Sequence, residues 1–510
     1  MNIARKTLVL ASIATLCFVA AFYAWVIASP IGASPDEDFH QAMLYCAAGE
    51  TDNCLSDGQR YGHCFSMRPT VPGSCRDYRH FDEPIASKIK INEPLTLYYA
   101  VGHFLVSDSL EGTTVNMRVM NSLLAVLMLG LSLALTATRY RPHLFIAIVV
   151  AAVPASLFFL SSINPSAWAI ISASALMGPF LSLMHYFANK TSNTQVISES
   201  NLLQLYRVIF IVIAASLGLG SRYESFLWAP LIILFSTLFV LADDYKRILQ
   251  RNNLILLTII IFMLIIGIAF IFSERSSVQP LQLFYNLTDE GISGWVTEKS
   301  LNTLLGVLSL TGIPGAELGT HDVPMPPLVS FLVAVSVGGL LLNSIAKSSR
   351  SQNLVFLALF LCITTIIVVL WSTKDWDYYQ PRYFLPVLFF FLFAAIQSVP
   401  LATLRMDRKY WTMVLVPATI AYSTALMTTM LRFIYGVEFQ QTRYPLGKEA
   451  VLISPSKLFD AVTPVWWLGG PSWLSPFLTW FIGSVCFFTG VMIVWFAILQ
   501  SKSSPAAESG

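Results

Sequence analysis

Residues 5–40 read RKTLVLASIATLCFVAAFYAWVIASPIGASPDEDFH, and this stretch decides the fold. From Thr7 to Pro35 it holds no charged residue. A helix needs about 20 apolar residues to cross a hydrocarbon core ~30 Å thick, because it rises 1.5 Å per residue. The run Thr7–Ala28 meets that length. Arg5 and Lys6 stand before it, and Asp36, Glu37 and Asp38 follow shortly after it. A cleaved signal peptide would show a shorter apolar core and a small-residue cleavage site, so the run reads as a retained first span.

The same pattern recurs along the chain. Of its 510 residues 55% are hydrophobic and only 12% charged, about half the charge of a soluble protein. Twelve stretches read as spans, near residues 7–28, 117–136, 143–160, 166–187, 207–219, 225–241, 254–272, 328–345, 354–371, 383–399, 411–431 and 477–500. The fifth is short and contains glycine. Backbone polar groups inside a bilayer must pair internally, so each span reads as helix and the fold as an all-α polytopic membrane protein. With 31 basic and 29 acidic residues the net charge is +2, which indicates no nucleic-acid partner.

Short turns carrying Arg139 and Arg141, Lys246 and Arg247, Lys347 and Arg350, and Arg405 and Arg408 alternate with long segments. The positive-inside rule puts the basic turns in the cytoplasm, together with both termini. The expected organisation is a first helix over 1–28, an extracytoplasmic loop over 29–116 and helices 2–7 over 117–272. A second loop over 273–327, helices 8–11 over 328–431, a third loop over 432–476 and a last helix and tail over 477–510 complete it. Three long loops on one face suit chemistry or recognition there. The segment Pro94–Val106 is apolar and aromatic but too short to span, and suits an amphipathic helix on the outer membrane surface.

Four cysteines, Cys46, Cys54, Cys64 and Cys75, gather in the first loop, whereas Cys17, Cys362 and Cys486 sit inside spans. An even set in an oxidising compartment reads as two disulfides, with three connectivities open. A zinc site is the rival, although no C-x-x-C pair is present.

The chemistry-bearing residues lie at outer span ends. Ser34-Pro35-Asp36-Glu37-Asp38-Phe39-His40 puts carboxylates where a headgroup-bearing substrate arrives. If Pro35 opens a helix, Asp36 and Glu37 fall in its first turn and Asp36 shares a face with His40. One carboxylate there could accept a proton from a hydroxyl, and neighbours could hold a divalent ion such as Mg or Mn; a plain acidic helix start is the alternative. Gln380-Pro381-Arg382-Tyr383 places a guanidinium among aromatics, suited to a phosphate or to snorkelling. Arg222 and Glu224 form a second outer pair, structural or substrate-contacting. Arg118 begins the second span, and Asn164 stands where it could cap the fourth. Trp466 and Trp467 could stack on a sugar or belong to the interfacial belt.

The Pro-Asp-Glu-x-x-His run after the first span resembles the opening of a bacterial membrane-protein family labelled domain of unknown function 2142, which is grouped with the GT-C glycosyltransferases. Asn164-Pro165-Ser166 and Gln380-x-Arg382-Tyr383-Phe384-Leu385-Pro386 resemble two further motifs, in the same order. The resemblance implies a GT-C-like fold in the bacterial cytoplasmic membrane and a polyprenyl-phosphate sugar as donor. It also implies a cell-envelope glycan or lipid acceptor, Asp36 as general base with Glu37 beside it, and His40 and Arg382 as substrate-binding residues. The chain departs from the family pattern at Pro381, at Asp38-Phe39 and in its cysteine-rich insert.

Two other classes compete with a glycosyltransferase. A twelve-span transporter or lipid-linked glycan flippase would place ionisable groups at mid-span and build discontinuous helices. A non-catalytic polysaccharide-binding protein would rely on its loops.

Overall fold

The computed structural model describes residues 3–47, 65, 68, 71–75, 96–190, 200–222, 225–242, 308, 318, 323–372, 384–436, 455–461, 463–464, 467–468 and 474–500. Among these residues the chain is helical, with one isolated antiparallel bridge between Leu318 and Val323. In order the helices are α1 (Ile3–Ile27), α2 (Glu37–Ala47), α3 (Leu97–Gly102), α4 (Leu110–Leu135), α5 (Arg141–Ala151), α6 (Pro154–Leu160), α7 (Ser166–Lys190) and α8 (Asn201–Leu219). They continue as α9 (Ser225–Leu241), α10 (Pro327–Lys347), α11 (Arg350–Ser372), α12 (Leu385–Ile396), α13 (Leu401–Met406), α14 (Arg408–Tyr435), α15 (Pro455–Phe459) and α16 (Pro476–Gln500).

Eight of these helices are long and apolar enough to cross a membrane: α1, α4, α7, α8, α10, α11, α14 and α16. This is a polytopic membrane protein built of helices. The fifth expected span is a full helix, α8, and α14 runs past residue 431 to Tyr435. The seventh, over 254–272, lies outside the described residues. Three others fall outside this set of eight, although the sixth keeps its expected bounds.

The third span, 143–160, is not continuous. It is broken into α5 and α6, bent by 91°. Pro154 has no N–H to continue the ladder and forces its predecessor out of the helical region; Val153 sits at φ −63 and ψ 158. The sixth is the 17-residue α9 and the tenth the 12-residue α12, both apolar but short. By helical rise α12 covers only about 18 Å, well under a bilayer core. Every residue from Leu385 to Ile396 is buried, in contact with α5, α7 and α10. A helix apolar on all sides belongs inside the bundle, and α12 is placed there.

The bundle centres on α7, which touches α4, α5, α6, α8, α9 and α12. Around it α1 packs along α16 and α10 along α14. The first of these approaches is close. A Cβ on Gly483 would stand 2.6 Å from the Ala24 Cβ, so only glycine admits this spacing, as is common between helices in lipid. At the end of α1 the chain turns over residues 28–36 into α2, and this end of the bundle carries the polar groups.

Candidate functional site

Glu37 and Arg118 meet at that end, with relative exposures of 0% and 1%. The guanidinium has five N–H groups in a rigid fork, and all five are used. Nε donates to Glu37 Oε1 (2.9 Å) and Nη2 to Glu37 Oε2 (2.7 Å). Nη1 donates to the carbonyls of Val26 (2.9 Å) and Ser29 (3.0 Å), and Nη2 also to that of Pro30 (2.9 Å). The carboxylate is equally full, because the Gly32 N–H donates to Oε2 (2.9 Å) and the Ile163 N–H to Oε1 (3.1 Å). Burial pushes the Glu37 carboxyl up, but the Arg118 charge and these hydrogen bonds outweigh it and hold the group below its usual value. Two residues expected to serve chemistry and substrate therefore form a closed knot. It ties the end of α1, the start of α2, α4 and the α6–α7 turn together.

Asp36 stands next to Glu37 in a different setting. It is exposed and precedes α2, with φ 57, whereas an Asp in the first helical turn would have a negative φ. His40, one turn on, is buried, and its N–H donates to the Asp36 carbonyl (2.9 Å). Left-handed backbone is unfavourable for L residues, and Asp is among those that tolerate it. Its neighbours hold it there. Glu37 is locked in the knot, and the Pro35 carbonyl accepts from Asn164 Nδ2 (3.0 Å).

Asn164 joins three segments. Its Oδ1 accepts from the Ser166 N–H (2.9 Å), capping α7 as its sequence position suggests, and also from Arg222 Nη2 (3.1 Å). Arg222 is half-buried in the turn between α8 and α9. Asp36, Asn164 and Arg222, spread over 186 positions of sequence from 36 to 222, thus belong to one rim. The bend between α5 and α6 delivers the Asn164 turn to it.

Beneath the rim lies a layer of tyrosines from α3. Tyr98 Oη accepts from Asn121 Nδ2 (3.2 Å), which also donates to the Ser162 carbonyl (2.7 Å), while Trp168 Nε1 donates to Asn121 Oδ1 (3.0 Å). Tyr99 Oη and His40 Nδ1 lie 2.7 Å apart. Burial holds the Tyr98 phenol well above its usual value, so it stays neutral. Asn121 was not a candidate from the sequence, although a buried amide in an apolar span is the available signal. Arg432 was read only as a member of the third loop. It is buried in the last turn of α14 and donates to the carbonyls of Val71 (2.7 Å), Phe65 (3.0 Å) and Arg68 (3.2 Å), fastening the first loop to the bundle.

Glu224, Gln380, Arg382 and Tyr383 lie outside the described residues, as do Cys54, Cys64 and Trp466. Cys46 lies in the last turn of α2 and Cys75 ends a 3₁₀ turn over Gly73–Cys75, so the pairing of the four cysteines is not among the described features. Among the described residues no three His, Cys, Asp or Glu side chains come together to hold a metal ion.

A protein-family model described as predicted membrane protein (DUF2142) matches residues 17–391, from α1 into α12. No curated protein and no solved structure matches the chain.

Proposed function

We propose, for a chain that belongs to the family of predicted membrane proteins DUF2142, that it is an integral-membrane glycosyltransferase of GT-C type with Asp36 as general base. The donor in this reading is a polyprenyl-phosphate sugar, and the acceptor a hydroxyl of a cell-envelope glycan or lipid on the extracytoplasmic face of the bacterial cytoplasmic membrane. One observation carries the reading. Asp36 is an exposed acid held in a left-handed backbone conformation while both of its neighbours are anchored. Strain of this kind costs of order 1–3 kcal/mol and persists where surrounding structure imposes it, as it does at reactive sites.

In the proposed reaction the Asp36 carboxylate takes the proton of the acceptor hydroxyl as its oxygen bonds the anomeric carbon. The bond from that carbon to the donor phosphate breaks, and the phosphate leaves with the electron pair. A guanidinium stabilises the charge that builds on the leaving group. Arg222, joined to the Asp36 segment through Asn164, is suited to that task, and the sequence motif suggests Arg382 for it as well. Glu37 and Arg118 serve as the foundation in this scheme, since neither has a hydrogen-bonding position left for a substrate. The described residues assemble no metal site, and no step here runs through one.

Asp36→Asn tests the reading, because it preserves size and tolerance of left-handed backbone but removes the proton acceptor. Glycan transfer in membranes, with protein amount checked by blot, should fall about 10²–10⁴-fold, the usual cost of losing a general base. Full activity in Asp36→Asn at normal protein level would move a transporter, flippase or polysaccharide-binding protein ahead.

A further inference from the structure

The short helix α3 has two faces of opposite character. Tyr98 and Tyr99 on one face are buried, and their hydroxyls reach Asn121 and His40. On the other face Leu97 and Val101 are exposed at 44% and 39%, and Phe104, in the 3₁₀ turn His103–Leu105 that follows directly, is exposed at 78%. A soluble surface does not favour such a stripe, and Phe104 in particular projects almost wholly out of the protein.

What covers the stripe follows from its neighbour. The Tyr98 N–H donates to the Gly220 carbonyl (3.0 Å), and a Cβ on Gly220 would stand 2.5 Å from the Leu97 Cβ. So α3 begins directly against the end of α8. That helix is one of the membrane-crossing set, and it exposes Leu205, Val208, Ile209, Val212, Ile213 and Leu219 along its length. In a protein that sits in a bilayer, this is a lipid-facing surface. Leu219 lies one residue from the Gly220 contact, and so the stripe on α3 continues the apolar face of α8, which only the small hydroxyl of Ser216 interrupts near its end.

We propose that Leu97, Val101 and Phe104 form a bilayer-contact surface, seated among lipid acyl chains at the membrane rim, and that this seating presses Tyr98 and Tyr99 onto the groups flanking Asp36. Lipid then forms the outer support of the rim, and displacing α3 from it loosens the Tyr98–Asn121 and Tyr99–His40 contacts. The inference does not require that Asp36 be a base.

The full-length protein, reconstituted in phosphatidylethanolamine–phosphatidylglycerol vesicles, allows a direct test. The photoreactive residue p-benzoylphenylalanine is placed in turn at positions 104, 212 and 111, where Val212 reports the α8 face and Glu111 the polar start of α4. Lipid adducts are expected after illumination at 104 and 212 and not at 111. A peptide adduct at 104, or no lipid adduct there while 212 gives one, overturns the proposal. The coupling is read by hydrogen exchange in the same vesicles. Phe104→Glu should lose amide protection in residues 96–105 and 37–44, whereas Phe104→Leu should keep it. Unchanged protection in Phe104→Glu would overturn the link between lipid and rim.

Discussion

Asp36 and Glu37 are consecutive acids, and the structure gives them opposite surroundings. Glu37 is buried, charge-neutralised by Arg118 and surrounded by four hydrogen-bond donors. Asp36 faces outward from a strained backbone position. A carboxylate with every lone pair engaged is a poor base, because a donor would have to be displaced before a proton could be taken up, and the remaining donors favour the charged form. The contrast assigns rigidity to Glu37, and the proposed reading gives the proton transfer to Asp36. It also explains why the strain can persist, since a knot with this many partners resists relaxation of the residue beside it.

Removing one partner of the knot should break the comparison with the largest effect on stability. Arg118→Ala leaves Glu37 charged and buried, and strands the carbonyls of Val26, Ser29 and Pro30. Breaking a buried ion pair from one side costs about 3–5 kcal/mol. Thermal unfolding in detergent should show a large fall in midpoint, and Arg118→Lys should recover little, since an ammonium cannot reproduce the five-donor fork. A Lys variant of native stability would mean that the charge alone matters.

Arg432 offers a milder version of the same experiment. It holds three carbonyls of the first loop. Hydrogen bonds to a charged group contribute about 1.5–3 kcal/mol. Arg432→Ala should therefore open the first loop to limited proteolysis near residues 65–75 before it unfolds the bundle. Simultaneous loss of both would show that the loop and the bundle fold as one unit.

The knot should also leave a mark in the pH dependence of stability. Glu37 has a folded-state pKa below its ordinary value of 4.5. Its contribution is accordingly complete above pH 4.5 and disappears as the pH falls through the depressed value. Stability of the wild type should drop with acid in that window, and Glu37→Gln, already destabilised, should show a shallower drop. Equal acid slopes in the two proteins would remove Glu37 from the account.

Much of this architecture is legible in the sequence, and the failures have physical causes. Apolar runs report that a segment avoids water, so α1, α4, α7, α8 and α16 could be placed from composition alone. They cannot report whether the segment is surrounded by lipid or by protein, which is why α12 looks like a span and is instead a short helix inside the bundle. Pro154 stands within the third run, and a count of apolar residues does not register the missing N–H that bends the helix there. At the site, Glu37, Arg118, Asn164 and Arg222 were recognisable as polar groups at span ends. Their mutual bonds were not, because Arg118 is 81 positions from Glu37 and Asn164 lies 129 from Pro35. Local spacing predicts helix faces and caps, such as the Asn164 cap on α7, and carries no information about partners at that separation.

The smallest effect expected is also the one that isolates the strain at Asp36. Three substitutions remove the carboxylate in different ways. Asn tolerates left-handed backbone almost as Asp does, and Asp36 is exposed, so Asp36→Asn should change stability by no more than about 0.5 kcal/mol. Alanine lacks the short polar side chain that eases this conformation, and Asp36→Ala should cost roughly 1 kcal/mol. Glycine accepts φ 57 without penalty but has more freedom to lose on folding, so Asp36→Gly should fall near the wild type. The order Asn and Gly above Ala, read from thermal midpoints in detergent, would establish that the knot imposes the backbone. All three should lack activity if the carboxylate is the base. Equal stability in all three would mean that the turn relaxes once Asp36 is gone, and that the acid itself maintains the strained conformation.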